Sequence, residues 1–128
     1  MVYLDTSVAL ASLLVEDRQP EPALWTDSLV SSRLLEFEVW NRVNKLPGRA
    51  KAEEATRNLL GRVALLELIP EVVSRAREPF PIALRTLDAL HLASVLFLNE
   101  QGVRVKLASY DERMLTAARK LRVPLFEI

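Results

Sequence analysis

The chain has 128 residues, 50% of them apolar and 27% charged, with only three glycines, a composition that predicts one globular domain with a hydrophobic core of its own. Seventeen basic residues balance seventeen acidic ones, so bulk charge does not mark a polycationic nucleic-acid binder, and a phosphate-bearing substrate has to be held by local geometry or by metal ions. Cysteine is absent and histidine occurs once, which excludes disulfide frameworks, thiolate and multi-histidine metal sites, iron–sulfur clusters and cysteine nucleophiles.

Residues 2–4 form a short β run that stops at Asp5-Thr6-Ser7, side chains that favour helix starts. Residues 8–15 read as a helix and 20–27 as a second, shorter one. A brief strand over 29–32 ends in two serines and leads into a helix over 33–45, which Pro47-Gly48 breaks. A helix over 50–62, a third strand over 65–69 closed by Pro70, and a helix over 71–77 follow. Glu78-Pro79-Phe80-Pro81 can only be a loop. Then come a helix over 86–98, a fourth strand over 103–108, a helix over 111–121 and an edge strand over 124–128 with proline at its start. The amino terminus shows no basic n-region or cleavage site, and the longest stretch of low polarity, residues 8–15, is far too short to span a bilayer. A cytoplasmic protein with no membrane contact is expected.

Strands and helices alternate from end to end. This predicts an α/β/α sandwich over 1–128 with a central parallel sheet of four to five strands and right-handed crossovers. In such sheets ligands sit at the carboxyl ends of the strands, where the next helices begin. Acidic residues recur there. Asp5 ends the first strand, Asp111 follows the fourth, Asp88 opens the helix after the proline loop, and Glu38 lies one turn into the helix after the second strand. Four carboxylates gather only around cations, because repulsion and desolvation would otherwise protonate them. Oxygen ligands select hard cations, Mg²⁺ or Mn²⁺.

Each acid also has a purely structural reading. Asp5 and Asp111 are suited to cap helices, Asp88 to complement a helix dipole, and Glu38 to pair with Arg42 one turn on. Asp88 stands out because Leu87-Asp88-Ala89-Leu90-His91-Leu92-Ala93 is otherwise apolar, and an acid in such a setting is normally paired or liganded. Periodicity does not choose between Glu36 and Glu38. His91 reads as a satisfied core or junction histidine, with general base as the alternative. Trp25 and Trp40 read as packing residues. Arg33, Arg42, Lys45, Arg85 and Arg113 fall near the proposed edge, and Arg42, Arg85 and Arg113 are the candidates for holding phosphates. There is no glycine-rich phosphate loop and no nucleophile elbow.

Tyr3-Leu4-Asp5-Thr6-Ser7 resembles the opening of PIN-domain ribonucleases, especially the toxins of VapBC-type toxin–antitoxin pairs. Ser31-Ser32-Arg33-Leu34-Leu35-Glu36-Phe37-Glu38 is similar to the family's serine-led second motif, a spacing that selects Glu38 over Glu36. The segment around Asp88 resembles the third motif. Ala108-Ser109-Tyr110-Asp111-Glu112-Arg113 resembles the fourth, with Ser109 where threonine is common. The resemblance implies a Mg²⁺- or Mn²⁺-dependent endoribonuclease. Asp5 and Asp88 would bind metal directly, Glu38 and Asp111 directly or through water, and Thr6 and Ser109 would be supporting hydroxyls. It further implies a homodimer held in check by a cognate VapB-type antitoxin, which pushes a basic side chain into the acidic pocket. A receiver-type phosphoacceptor fits less well, because residues 65–70 carry no aspartate and no lysine follows a fifth strand. A PIN-like module that binds without cleaving is the other alternative.

Overall fold

Four parallel strands form the sheet: β1 (Val2–Leu4), β2 (Leu29–Ser32), β3 (Val63–Leu66) and β4 (Lys106–Ala108), in the order β3-β2-β1-β4. The structure is a computed structural model that describes residues 1–16 and 18–128. Six helices accompany the sheet among the described residues: α1 (Thr6–Leu13), α2 (Arg33–Val43), α3 (Ala50–Leu60), α4 (Pro70–Ala76), α5 (Thr86–Glu100) and α6 (Glu112–Lys120). None of them is long and apolar enough to cross a membrane.

The period-2 alternation of β1 organises both faces. Val2 and Leu4 enter one core with Val8 of α1, Leu35 and Val39 of α2 and Leu59 of α3. Tyr3 enters the opposite core with Leu92 and Val95 of α5, Leu107 of β4 and Met114 of α6. A strand covered on both sides has to be apolar throughout, which explains its continuous run. The α/β/α sandwich predicted from the alternation is the observed fold.

Differences from the predicted elements trace to competing hydrogen bonds. The third strand occupies 63–66 rather than 65–69, because pairing starts where Val63 lies opposite Leu29 and Glu67 turns away to an ion pair with Arg33. The fourth begins at Lys106, not at 103. The Val103 amide bonds the Leu98 carbonyl and the Val105 amide the Asn99 side chain, both on α5. The first helix starts two residues early and ends before Val15, whose φ of 50° is left-handed. Residues 20–27 form only a 3-10 turn, Pro22–Thr26, since Pro20 and Pro22 donate no amide hydrogens. The last edge strand shrinks to one parallel bridge between Leu107 and Leu125, with the Leu107 amide donating to Pro124 at 2.8 Å.

The chain leaves β1 toward β2 and β3 on one side and returns to β4 on the other. This places a topological switch point between β1 and β4, where open α/β sheets bind their ligands. The Asp5 amide donates to the Ala108 carbonyl at 3.0 Å and Ser31 Oγ to the Leu4 carbonyl at 2.7 Å, which pins the end of β1 to both neighbours. Ser32 caps α2 by accepting from the Leu34 amide at 3.1 Å and is fully buried. Ser32→Ala is expected to cost about 1 kcal/mol, read from the shift of a urea unfolding curve.

Candidate active site

Asp5 occupies the residue before α1 in extended backbone conformation, yet its side chain makes no capping bond to the helix. Its Oδ2 instead accepts from Ser7 Oγ at 2.6 Å and from Ser109 Oγ at 2.8 Å, and the residue is 3% exposed. Both hydroxyls are themselves held, Ser7 Oγ accepting the Tyr110 amide and Ser109 Oγ the Asp111 amide, each at 3.0 Å. Capping alone therefore fails to account for Asp5. The buried carboxylate is retained because two hydroxyls solvate it in place of water.

Asp111 does cap its helix, with Oδ1 accepting the Met114 amide at 3.0 Å. Its Oδ2 points outward, 3.6 Å from a guanidinium nitrogen of Arg85. Asp88, in the first turn of α5, meets the same guanidinium at 3.4 Å. Burial first, and then the charges of Asp111 and Asp5, push the Asp88 carboxyl above its ordinary range, with Arg85 opposing them. Three aspartates from three chain segments thus load one sheet edge with negative charge, and a cation already leans on two of them. Among the described residues no three acidic or histidine groups converge closely enough to hold one ion. Asp5 is drawn toward its serines and Glu38 toward His91, while Arg85 spans the remaining pair.

Glu38 comes from α2, where its Oε1 accepts from Thr6 Oγ1 at 3.0 Å and lies 2.7 Å from His91 Nε2. Its partner is thus His91 rather than Arg42. Glu36 pairs with Arg33 on the surface at 2.7 Å, outside this cluster. His91, 1% exposed, is bonded on its other side to the Tyr3 hydroxyl at 2.8 Å. Burial lowers the imidazole's proton affinity, but the Glu38 hydrogen bond and the charges of Asp5, Glu38 and Asp88 outweigh it and leave the group above its ordinary value.

The basic candidates divide. Arg85 faces the acids directly. Arg42 and Lys45 line a groove of about 290 Å³ together with Thr6, Phe37 and Glu38. Arg113 is exposed near the start of α6, whereas Arg33 is committed to Glu36 and Glu67. Trp25 and Trp40 both pack against the first core. Thr6 Oγ1 donates to Glu38 and Ser109 Oγ to Asp5. Sequence reasoning missed Ser7 as a ligand of Asp5, although a hydroxyl two residues after a strand-ending acid was available as a signal. It also missed Tyr3, whose polar tip in a fully buried strand demands a partner.

The PIN-domain family profile matches residues 2–120. This chain belongs to the PIN-domain family. The PIN chain is 37% identical to Ribonuclease VapC46 of Mycobacterium tuberculosis over 127 residues, covering 94% of this chain and 92% of that one. It is 30% identical to Ribonuclease VapC35 and 28% identical to Ribonuclease VapC47 of the same species, with the same coverage. The PIN fold also superposes on a toxin–antitoxin complex from Klebsiella pneumoniae with a TM-score of 0.70 and 18% identity, over all of both chains.

Proposed function

We propose that this chain is an endoribonuclease toxin of the VapC type, using Mg²⁺ or Mn²⁺ at the edge that carries Asp5, Glu38, Asp88 and Asp111. The observation that carries the reading is that Asp5 after β1, Asp88 in α5 and Asp111 after β4 fall on one sheet edge at the switch point, where Arg85 meets two of them and burial, then the charges of Asp111 and Asp5, raise Asp88. The donor set suits a hard cation, being carboxylate oxygen with no thiolate. The Arg85 guanidinium, 3.4 Å from Asp88 and 3.6 Å from Asp111, supports the reading of this edge as one that attracts cations. Curated relatives named ribonucleases, matched along 94% of the chain, support the RNA-cleaving part.

In this reading Asp5 and Asp88 hold the metal directly and Glu38 and Asp111 directly or through water. A divalent ion bound here supplies Lewis acidity, lowering the pKa of water and offsetting charge on the scissile phosphate. Ser7 and Ser109 keep Asp5 in one orientation, and Thr6 does the same for Glu38. In this reading Arg42, in the groove beside Glu38, and the exposed Arg113 hold the RNA backbone. With a neutral chain, recognition then rests on RNA shape and a few arginines. The partners in this reading are a second copy of the chain and a VapB-type antitoxin. A basic antitoxin side chain has a precedent in the way Arg85 already lies against two acids.

The test is cleavage of mixed RNA by purified protein with Mg²⁺, with Mn²⁺ and with chelator. Cleavage that needs metal supports the reading, and cleavage that survives chelation overturns its metal part. Metal binding by calorimetry without cleavage of any RNA would favour the silent binding module. Arg85 also predicts a competition. Arg85→Met is expected to tighten Mn²⁺ binding by up to about fivefold, the most an exposed ion pair is worth.

A further inference from the structure

We propose that Tyr3 and His91 are positioning residues, which hold the Glu38 carboxylate at the site edge through the Nε2–H of His91. The proposal rests on the reading of Glu38 as a site residue given above. The connected groups run from the centre of the sheet to its edge. Tyr3 is fully buried in β1 and its hydroxyl lies 2.8 Å from His91 Nδ1, with the rings edge-to-face at 5.8 Å. His91 Nε2 lies 2.7 Å from Glu38 Oε1.

The direction of these bonds follows from the neighbours. His91 Nε2 faces a carboxylate oxygen, which only accepts, and Nδ1 faces the Tyr3 hydroxyl, which has a proton to give. The phenol therefore donates to Nδ1. With Nδ1 accepting, the ring's proton sits on Nε2. There it meets Glu38 Oε1, while Thr6 Oγ1, itself donating to Glu38, lies 3.2 Å from Nε2. A bare Nε2 would instead set a lone pair against a carboxylate at hydrogen-bond distance. Glu38 is thus gripped by donors from α1 and α5, and Tyr3 sets which nitrogen of His91 is a donor. A packing histidine would need only the Tyr3 bond. Aiming Nε2 at a carboxylate that is 19% exposed serves the site.

Because His91 is the only histidine, its ring nitrogens can be observed directly by NMR after labelling. The proposal expects a proton on Nε2 in the wild type, a displaced Nε2–H resonance in Glu38→Ala, and loss of the single protonation pattern in Tyr3→Phe. A wild-type ring protonated on Nδ1 alone overturns it, whether or not the protein cleaves RNA. In the activity arm, His91→Asn, which loses the donor at the Nε2 position, is expected to reduce kcat by about 10- to 100-fold with KM for RNA little changed. His91→Gln, whose amide nitrogen reaches that position, is expected to recover most of the loss. Equal impairment of two folded variants, or wild-type cleavage by His91→Asn, overturns the proposal. If His91→Asn does not fold, Tyr3→Phe and the NMR readout decide. Undiminished cleavage by Glu38→Gln would instead sink the functional reading of Glu38 and leave the NMR result to be judged by itself.

Discussion

Asp88→Asn is expected to abolish RNA cleavage and, in the same protein without metal, to raise the unfolding temperature. The first effect should exceed about 100-fold in rate, because removing groups that merely orient a metal ligand already costs about 10- to 100-fold. The second follows from the sign of the electrostatics. Burial and the charges of Asp111 and Asp5 raise the Asp88 carboxyl above its ordinary value. The folded protein therefore binds a proton more tightly there than the unfolded chain does. The stability this contributes is fully present below the ordinary carboxylate pKa and is lost as pH rises through the raised value. At neutral pH the wild type carries the repulsion and the neutral asparagine does not, so the variant melts higher. At acid pH, below the ordinary carboxylate range, the difference should vanish. Adding Mn²⁺ should reverse the order, stabilising the wild type by about 2.7 kcal/mol at a hundredfold excess over Kd. An Asp88→Asn protein that melts lower than wild type without metal would refute the repulsive cluster.

Leu107→Ala is expected to cost about 2–5 kcal/mol, a large part of the roughly 5–15 kcal/mol that holds a domain of this kind together. Leu107 is fully buried at the centre of β4, in the core shared by Tyr3, Leu92 and Met114. Its backbone bonds to Pro124 and Phe126 survive the substitution, so the loss measures the cavity left by the missing side chain. Urea unfolding reads it directly. Leu68→Ala, at a residue 37% exposed, serves as the comparison and should fall within about 0.5 kcal/mol of wild type. A loss below 1 kcal/mol at Leu107, a limit set well under the usual range, would mean that this core does not bear on β4 as described. The consequence for function is indirect but steep, since Ser109 and Asp111 leave the end of the same strand.

Much of this was legible without coordinates. The apolar run of β1 and the alternation of strands and helices gave the parallel sandwich, since period and punctuation are local properties. Asp5, Asp88 and Asp111 were readable as edge acids for the same reason: each follows a strand or opens a helix, and parallel topology sends all such junctions to one side. Boundaries were less legible. The ends of β3 and β4 depend on whether an amide bonds the neighbouring strand or a nearby helix, and Asn99 settled that for Val105 from six residues away.

Side-chain direction was not legible at all. Periodicity left Glu36 and Glu38 equivalent, and only the motif spacing separated them. In the folded chain the first meets Arg33 on the surface and the second meets His91, which is 53 residues away. The choice between capping and site duty for Asp5 was likewise open, because a strand-ending aspartate is equally suited to both. The structure excludes the cap, because Ser7 and Ser109, the latter 104 residues distant, hold the carboxylate off the helix. By itself, then, the sequence determined the order of elements, the absence of sulfur and multi-histidine chemistry, and the edge on which the acids fall. Only the tertiary structure decided which acid meets which partner, because a carboxylate goes to the donors that packing brings within about 3 Å, and for Glu38 and Asp5 these include His91 and Ser109, which are distant in the chain.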